Sequence, residues 1–242
     1  MVRRKGRVLG PSASGARPLT VDNGLNIREI RNRNSNEAST PVFLDKDVVK
    51  LGDIDVSGLA AHASALPEDV WAQEASRQKK FPAHIDTQTI WMIYDADFRH
   101  LNPTRHAMMD ACQAYMEPVM GVVREHYAEG VPRVPNAPDQ PGYFIRIIMT
   151  RLNAGGAIKP HVDGGYSLKR CHRIHAPLIT NEKCMFTTGD TTLHMRAGEL
   201  WEINNRQLHG VVNDGDEPRV HMILDYVVPG ELIPDPRGEV VA

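Results

Sequence analysis

What most constrains this chain is a proline-rich boundary and the residues that follow it. Between Val131 and Gly142 the sequence carries Pro132, Pro135, Pro138 and Pro141, a density that excludes both a sustained helix and a central strand. Short runs of β-type residues then succeed one another: Tyr143 to Leu152, Arg173 to Ile179, Cys184 to Thr188, Thr191 to Met195, Glu199 to Ile203 and Val220 to Val228. Turn chemistry separates many of them, at Gly155-Gly156, Gly164-Gly165, Gly189-Asp190, Ala197-Gly198, Asn204-Asn205 and Asp214-Gly215. Short strands with frequent turns predict a β-sandwich or jelly roll. The sequence has no internal repeat of roughly 20 to 50 residues, which disfavours propellers and solenoids.

The upstream half reads as mostly helical. Leu59, Ala63, Leu66, Val70 and Trp71 recur at helical spacing, and Pro67-Glu68-Asp69 suits the first turn of a second short helix. A longer helix is expected from Thr104 as N-cap, with an apolar stripe of Met108, Cys112, Tyr115, Met116, Val119 and Val123, kinked or split at Pro118. Residues 1–40, rich in Arg, Ser, Asn and Gly, read as a flexible basic extension. The expected organisation is that extension, then one domain over 41–242, with 41–130 as helical flank and about 140–229 as the β core.

Composition narrows the function classes. A chain of 242 residues with 41% hydrophobic and 24% charged residues can bury a real core and is neither disordered nor fibrous. The net charge of -2 supplies no field for nucleic acid or an anionic membrane. No apolar stretch reaches the ~18 residues of a membrane span, and no secretory leader is read at the N-terminus. Cys112, Cys171 and Cys184 form no CxxC pair and leave an odd count, so a reducing, cytoplasmic location is expected.

Chemistry concentrates in the β-rich half. His161-Val162-Asp163 sets an imidazole and a carboxylate at i and i+2, which on a strand project to one face. His209, at the start of another short strand, is the third candidate ligand. Two histidines and one carboxylate leave open positions on a metal, the donor set of a non-haem Fe(II) oxygenase. A second HxD, His84-Ile85-Asp86, shows that the pair alone is weak. What distinguishes the later pair is Arg219, which enters the apolar run Val220-His221-Met222-Ile223-Leu224 and needs an anionic partner such as a dicarboxylate co-substrate. Arg173 and His175 form a further polar i, i+2 pair. His221 shares a strand face with Arg219, and the remaining histidines are read as structural.

The ordered stretch from His161 through Cys171-His172-Arg173-Ile174-His175-Ala176-Pro177-Leu178-Ile179-Thr180-Asn181, Met195-Arg196-Ala197-Gly198-Glu199-Leu200-Trp201, His209 and Pro218-Arg219-Val220-His221 resembles the aspartyl/asparaginyl β-hydroxylase family of Fe(II)/2-oxoglutarate dioxygenases. The resemblance covers about residues 144–228. His84-Ile85-Asp86-Thr87-Gln88-Thr89-Ile90 and Asp97-Phe98-Arg99-His100 are similar to stand-alone bacterial members. It implies a double-stranded β-helix core of jelly-roll, cupin-like form. It also implies Fe(II) held by His161, Asp163 and His209, and 2-oxoglutarate held by Arg219, Thr150, Arg173 and His175. The reaction implied uses O2 to hydroxylate an unactivated C–H of an amino-acid side chain, with succinate and carbon dioxide as co-products. Asp or Asn in a peptide is the first target, a free amino acid such as proline the alternative. The animal branch lacks the carboxylate that stands here at Asp163, which moves this chain toward the bacterial members and the free-proline hydroxylases. Lys169 and Arg170, in a glycine-containing loop, are candidates for meeting a substrate carboxylate. Two competing readings are a zinc hydrolase, for which no HExxH signature exists, and a non-catalytic jelly-roll sensor of metal or dicarboxylate.

Overall fold

The computed structural model describes residues 44–94, 103–128, 141–164, 167–168 and 171–229. Among these residues ten strands form two antiparallel sheets. The larger has the order β1 (Val48–Asp53), β8 (Glu199–Ile203), β5 (His172–Ile179), β10 (Arg219–Val227), β3 (Tyr143–Leu152), β2 (Thr87–Ile93). The smaller has the order β4 (Ala157–His161), β9 (His209–Asn213), β6 (Cys184–Thr188), β7 (Thr191–Leu193). Two facing antiparallel sheets assembled from non-consecutive strands are the jelly-roll architecture predicted from the run of short strands. The basic extension lies outside the described residues.

Strand alternation splits the large sheet into two chemically distinct faces. Val220, Met222, Leu224 and Tyr226 of β10 join Ile147 and Met149 of β3 and Ile174, Ala176 and Leu178 of β5 in an apolar layer. The helices cover this layer: α1 (Ser57–Ala65) through Leu59 and Ala63, α2 (Glu68–Ala72) through Trp71, and α4 (Ala107–His126) through Met109, Cys112, Met116, Val119, Met120 and Val123. The alternate residues of β10, namely Arg219, His221, Ile223 and Asp225, pair across the sheet with Leu152, Thr150, Ile148 and Arg146 of β3. His221, Ile223 and Asp225 pair on the other side with Pro177, His175 and Arg173 of β5. This polar face looks toward the small sheet, and Leu152, Cys184, Phe186, Met195, Ile203 and Val211 from strands of both sheets and the β7–β8 connection form a second apolar cluster.

Several local expectations are corrected. The region from Val56 to Lys80 makes three short helices rather than two, the third being α3 (Ser76–Lys80). α4 runs unbroken through Pro118 and starts after His106, without a side-chain cap. Its buried stripe uses Met109, while Tyr115 faces outward at 47% exposure. The helical flank also gives two strands, β1 and β2, to the edges of the large sheet. No helix among the described residues is long and apolar enough to cross a membrane.

Candidate metal and carboxylate site

β4 and β9 bring the first histidine pair together, because His161 and His209 are direct cross-strand partners. Gly210 permits the close approach: a Cβ there would lie 2.8 Å from the Ile158 carbonyl oxygen. His161 is the last residue of β4, so Asp163 lies beyond the strand rather than two positions along it as expected. Its carboxylate arrives by another route. The Asp163 backbone N–H donates to the Asn205 carbonyl (3.1 Å), and Oδ2 accepts from Arg173 Nη1 (2.6 Å). The carboxylate then stands 3.8 Å from His161 Nε2 and 3.7 Å from His209 Nε2. One ligand atom from each of the three residues lies within 4.8 Å of the others.

The donor chemistry fits a divalent transition metal. Each imidazole has its Nδ1 beside a backbone carbonyl, Lys159 for His161 (2.8 Å) and Gln207 for His209 (2.9 Å). A neutral ring with the proton on Nδ1 turns the Nε2 lone pair into the site. Burial lowers the His209 pKa against the pull of Asp163, which favours the neutral form a ligand needs. Burial alone would raise the Asp163 carboxyl, but Arg173 and the two histidines outweigh it and hold the pKa below the ordinary value.

Arg173 is fully engaged by protein carboxylates. Besides Asp163 it donates through Nε to Asp225 Oδ1 and through Nη2 to Asp225 Oδ2, both at 2.8 Å. Arg146 Nη1 reaches the same Asp225 at 2.5 Å. Two buried carboxylates thus take up the Arg173 fork, one of them belonging to a candidate metal ligand. The two arginines hold the Asp225 carboxyl near a pKa of about 2 in spite of burial.

Arg219 is the opposite case. It is 2% exposed, and among the described residues no carboxylate pairs with it; Nη2 contacts His221 Nδ1 at 2.5 Å. Burial lowers its pKa to about 10, which leaves it cationic at neutral pH. Beside it, both ring nitrogens of His175 and Nε2 of His221 are buried without a hydrogen-bond partner. Thr150, opposite His221 on β3, donates weakly to the His221 carbonyl (3.3 Å). A buried unpaired guanidinium among orphaned imidazole nitrogens is costly unless an anion completes it. The cluster thus fits the carboxylate of a small dicarboxylate. Lys169 and Arg170 lie outside the described residues.

The second HxD divides its labour. Asp86 Oδ2 accepts the Ala157 N–H at the start of β4 (3.1 Å), a structural role. His84 packs edge-on against His161, with ring centroids 5.0 Å apart. Behind it stands Arg77, with Nη2 3.4 Å from His84 Nε2. Sequence reasoning did not assign either residue to the site; the only signal was the upstream stretch around His84 that is similar to the bacterial members.

With this geometry in view, the comparisons are specific. Residues 121–229 match the family model for aspartyl/asparaginyl beta-hydroxylase. Among curated relatives, the L-proline cis-4-hydroxylase of Rhizobium meliloti is 30% identical over 83 residues, 34% of this chain and 29% of that protein. The L-proline cis-3-hydroxylase 1 of a Streptomyces species is 27% identical over 92 residues, 37% of this chain and 32% of its own length. The matches thus span under a third of either relative. Among solved structures, the non-haem α-ketoglutarate-dependent epimerase SnoN from nogalamycin biosynthesis has a TM-score of 0.50 at 15% identity, covering 75% of this chain and 78% of that one. This last likeness concerns the fold alone, and it agrees with the two-sheet core.

Proposed function

We propose that this chain is an Fe(II)- and 2-oxoglutarate-dependent dioxygenase that hydroxylates an amino-acid side chain. The observation that carries the proposal is the pairing of a His-Asp-His cluster with a buried, unpaired Arg219 on the opposite sheet. In this reading His161, Asp163 and His209 hold the metal. Arg219, with Thr150 beside it, takes the distal carboxylate of 2-oxoglutarate, and His175 supplies a hydrogen bond nearer the metal. When bound, the metal would activate O2, the oxidant for C–H hydroxylation, with 2-oxoglutarate as the two-electron reductant that leaves as succinate and carbon dioxide. The protein keeps both imidazoles in the Nδ1–H form, fixes Asp163 through Arg173, and excludes water with the apolar cluster around Phe186.

Two targets follow from the comparisons. The family match supports the β-carbon of Asp or Asn in a peptide, and the curated relatives support a free amino acid such as L-proline. The buried free thiols Cys112, Cys171 and Cys184 support a reducing, cytoplasmic location. The decisive experiment is anaerobic reconstitution with Fe(II) and 2-oxoglutarate, followed by oxygen and a panel of free amino acids and short peptides, reading succinate and hydroxylated product. Substrate-stimulated succinate with matching product is expected. Stoichiometric binding of metal and 2-oxoglutarate with no succinate in any arm would make the protein a sensor and sink the proposal.

A further inference from the structure

Arg77 is a second guanidinium near this site, and among the described residues no carboxylate answers it. It reaches in from α3 and hydrogen-bonds Thr89 Oγ1 on β2 at 3.3 Å. Its other contact is the edge of His84, and among the described residues no carboxylate lies within ion-pair distance of it. It feels the charges of Asp163, Arg173 and Arg146. Arg219 lies instead against His221 on β10, so the two guanidinium groups serve different neighbourhoods. With a pKa lowered by burial to about 10, Arg77 stays cationic at neutral pH. His84, pushed by burial and by Arg77 to a pKa of about 3, is the neutral acceptor beside it.

A second orphaned donor, the Trp91 indole, lies on the same face of β2, where its ring packs against Tyr94 and His106. Trp91 stands two residues after Thr89 on β2, on the same strand face, and its Nε1–H is buried without a partner. A buried indole N–H usually finds an acceptor. An unpaired guanidinium, a threonine hydroxyl able to donate while it accepts from Arg77, and an orphaned indole N–H all ask for the same thing, an anionic oxygen acceptor. Only one imidazole, that of His84, separates the guanidinium from His161. A molecule gripped here by a carboxylate would have its carbons a few bonds from the metal cluster.

We propose that Arg77, supported by Thr89 and Trp91, binds a carboxylate of the substrate itself and selects for acids over amides. This rests on the reading of the cluster as an oxygenase site and names its substrate class: an α-carboxylate of a free amino acid or an aspartate side chain in a peptide. A carboxylate clamp beside the metal would set which carbon meets the reacting centre.

Calorimetric titration of the chain loaded with Zn(II) and 2-oxoglutarate tests this without turnover. One probe pair is L-proline against L-prolinamide; the other is Ac-Gly-Asp-Gly-amide against Ac-Gly-Asn-Gly-amide. In one pair the acid is expected to bind about tenfold or more tightly than the amide, and that pair identifies the source of the carboxylate. Arg77→Gln should abolish the preference, while Arg77→Lys, which keeps the charge, should retain part of it. No acid preference in either pair, a preference that survives Arg77→Gln, or an equal loss of 2-oxoglutarate affinity in that variant would overturn the assignment. Succinate formation by the iron-loaded wild-type chain is scored separately, so failure of the oxygenase reading is distinguishable from failure of the Arg77 clamp.

Discussion

Arg173 and Asp225 meet in a two-pronged ion pair on the inner face of the large sheet, each prong 2.8 Å long, with Asp225 fully buried. They are cross-strand partners of β5 and β10, and Arg146 joins from β3. The pair ties three strands together under the metal cluster. Asp225→Asn removes the negative charge that compensates two buried guanidinium groups and is expected to cost on the order of 3 to 5 kcal/mol of stability. Urea unfolding of the metal-free chain reads this directly, and a loss below ~1 kcal/mol would show that the network contributes little.

In the proposed reading Arg173 is a positioning residue for Asp163, to which it donates at 2.6 Å. Arg173→Gln is expected to weaken Zn(II) or Co(II) affinity by about 10- to 100-fold, as loss of groups supporting metal ligands typically does. At saturating metal, 2-oxoglutarate affinity should change little. Intact metal affinity with a large loss of co-substrate binding would restore the role given to Arg173 by family resemblance.

Arg219→Ala removes the cation that the co-substrate carboxylate is proposed to meet. The expected effect is a rise in the 2-oxoglutarate dissociation constant of at least about a hundredfold, the scale of losing one member of a buried charge pair, with metal affinity retained. Equilibrium binding to the Zn(II)-loaded protein reads both. An unchanged dissociation constant for 2-oxoglutarate would remove Arg219 from the site.

Acid should destabilise the apoprotein well above the carboxylate range. His175 and His221 are buried, and burial together with Arg219 holds both pKa values well below the ordinary 6.5; His84 sits near about 3. In the unfolded chain these imidazoles take up protons below about pH 6.5, while in the folded chain they remain neutral, so stability falls as pH drops through that window. Each contributes up to about 1.4 kcal/mol per pH unit. Asp225 acts in the same direction only below its ordinary value of 3.8. Unfolding free energies at pH 7.5, 6 and 5 should decline, and more shallowly in His175→Phe; a pH-independent stability would contradict the buried neutral state.

Gly210→Ala adds a Cβ 2.8 Å from the Ile158 carbonyl oxygen and 3.2 Å from Pro160 N. β9 must then move off β4, which separates His209 from His161. Metal affinity is expected to fall by more than about tenfold with little change in helix content by circular dichroism; unchanged affinity would mean that the strands tolerate the shift.

Much of this site was legible because its residues are strand residues. Alternation fixed the shared face of Arg219 and His221 and that of Arg173 and His175, and the β runs at Tyr143–Leu152, Cys184–Thr188 and Glu199–Ile203 match the observed strands. The illegible parts depend on register and topology. Nothing local to Asp225 says that it lies opposite Arg146 and Arg173, so the engagement of the Arg173 fork was hidden. Arg77 lies on a five-residue helix with no apolar period, and only the packing of β2 at the sheet edge carries it to the cluster. His161 and Asp163 converge although the strand ends between them, because the Asn205 carbonyl and Arg173 hold the aspartate where the pleat no longer does.

The two-sided character of β10 sets how this protein can be altered. Its odd-numbered residues from Arg219 to Asp225 form the chamber wall, and its even-numbered residues from Val220 to Tyr226 form the floor on which the helices rest. A mutational library confined to Arg219, His221 and Ile223 would therefore re-tune the chamber while sparing both the helix-bearing face and the Asp225 ion-pair network. The separation gives new specificities a route to emerge without disturbing the face on which the helices pack.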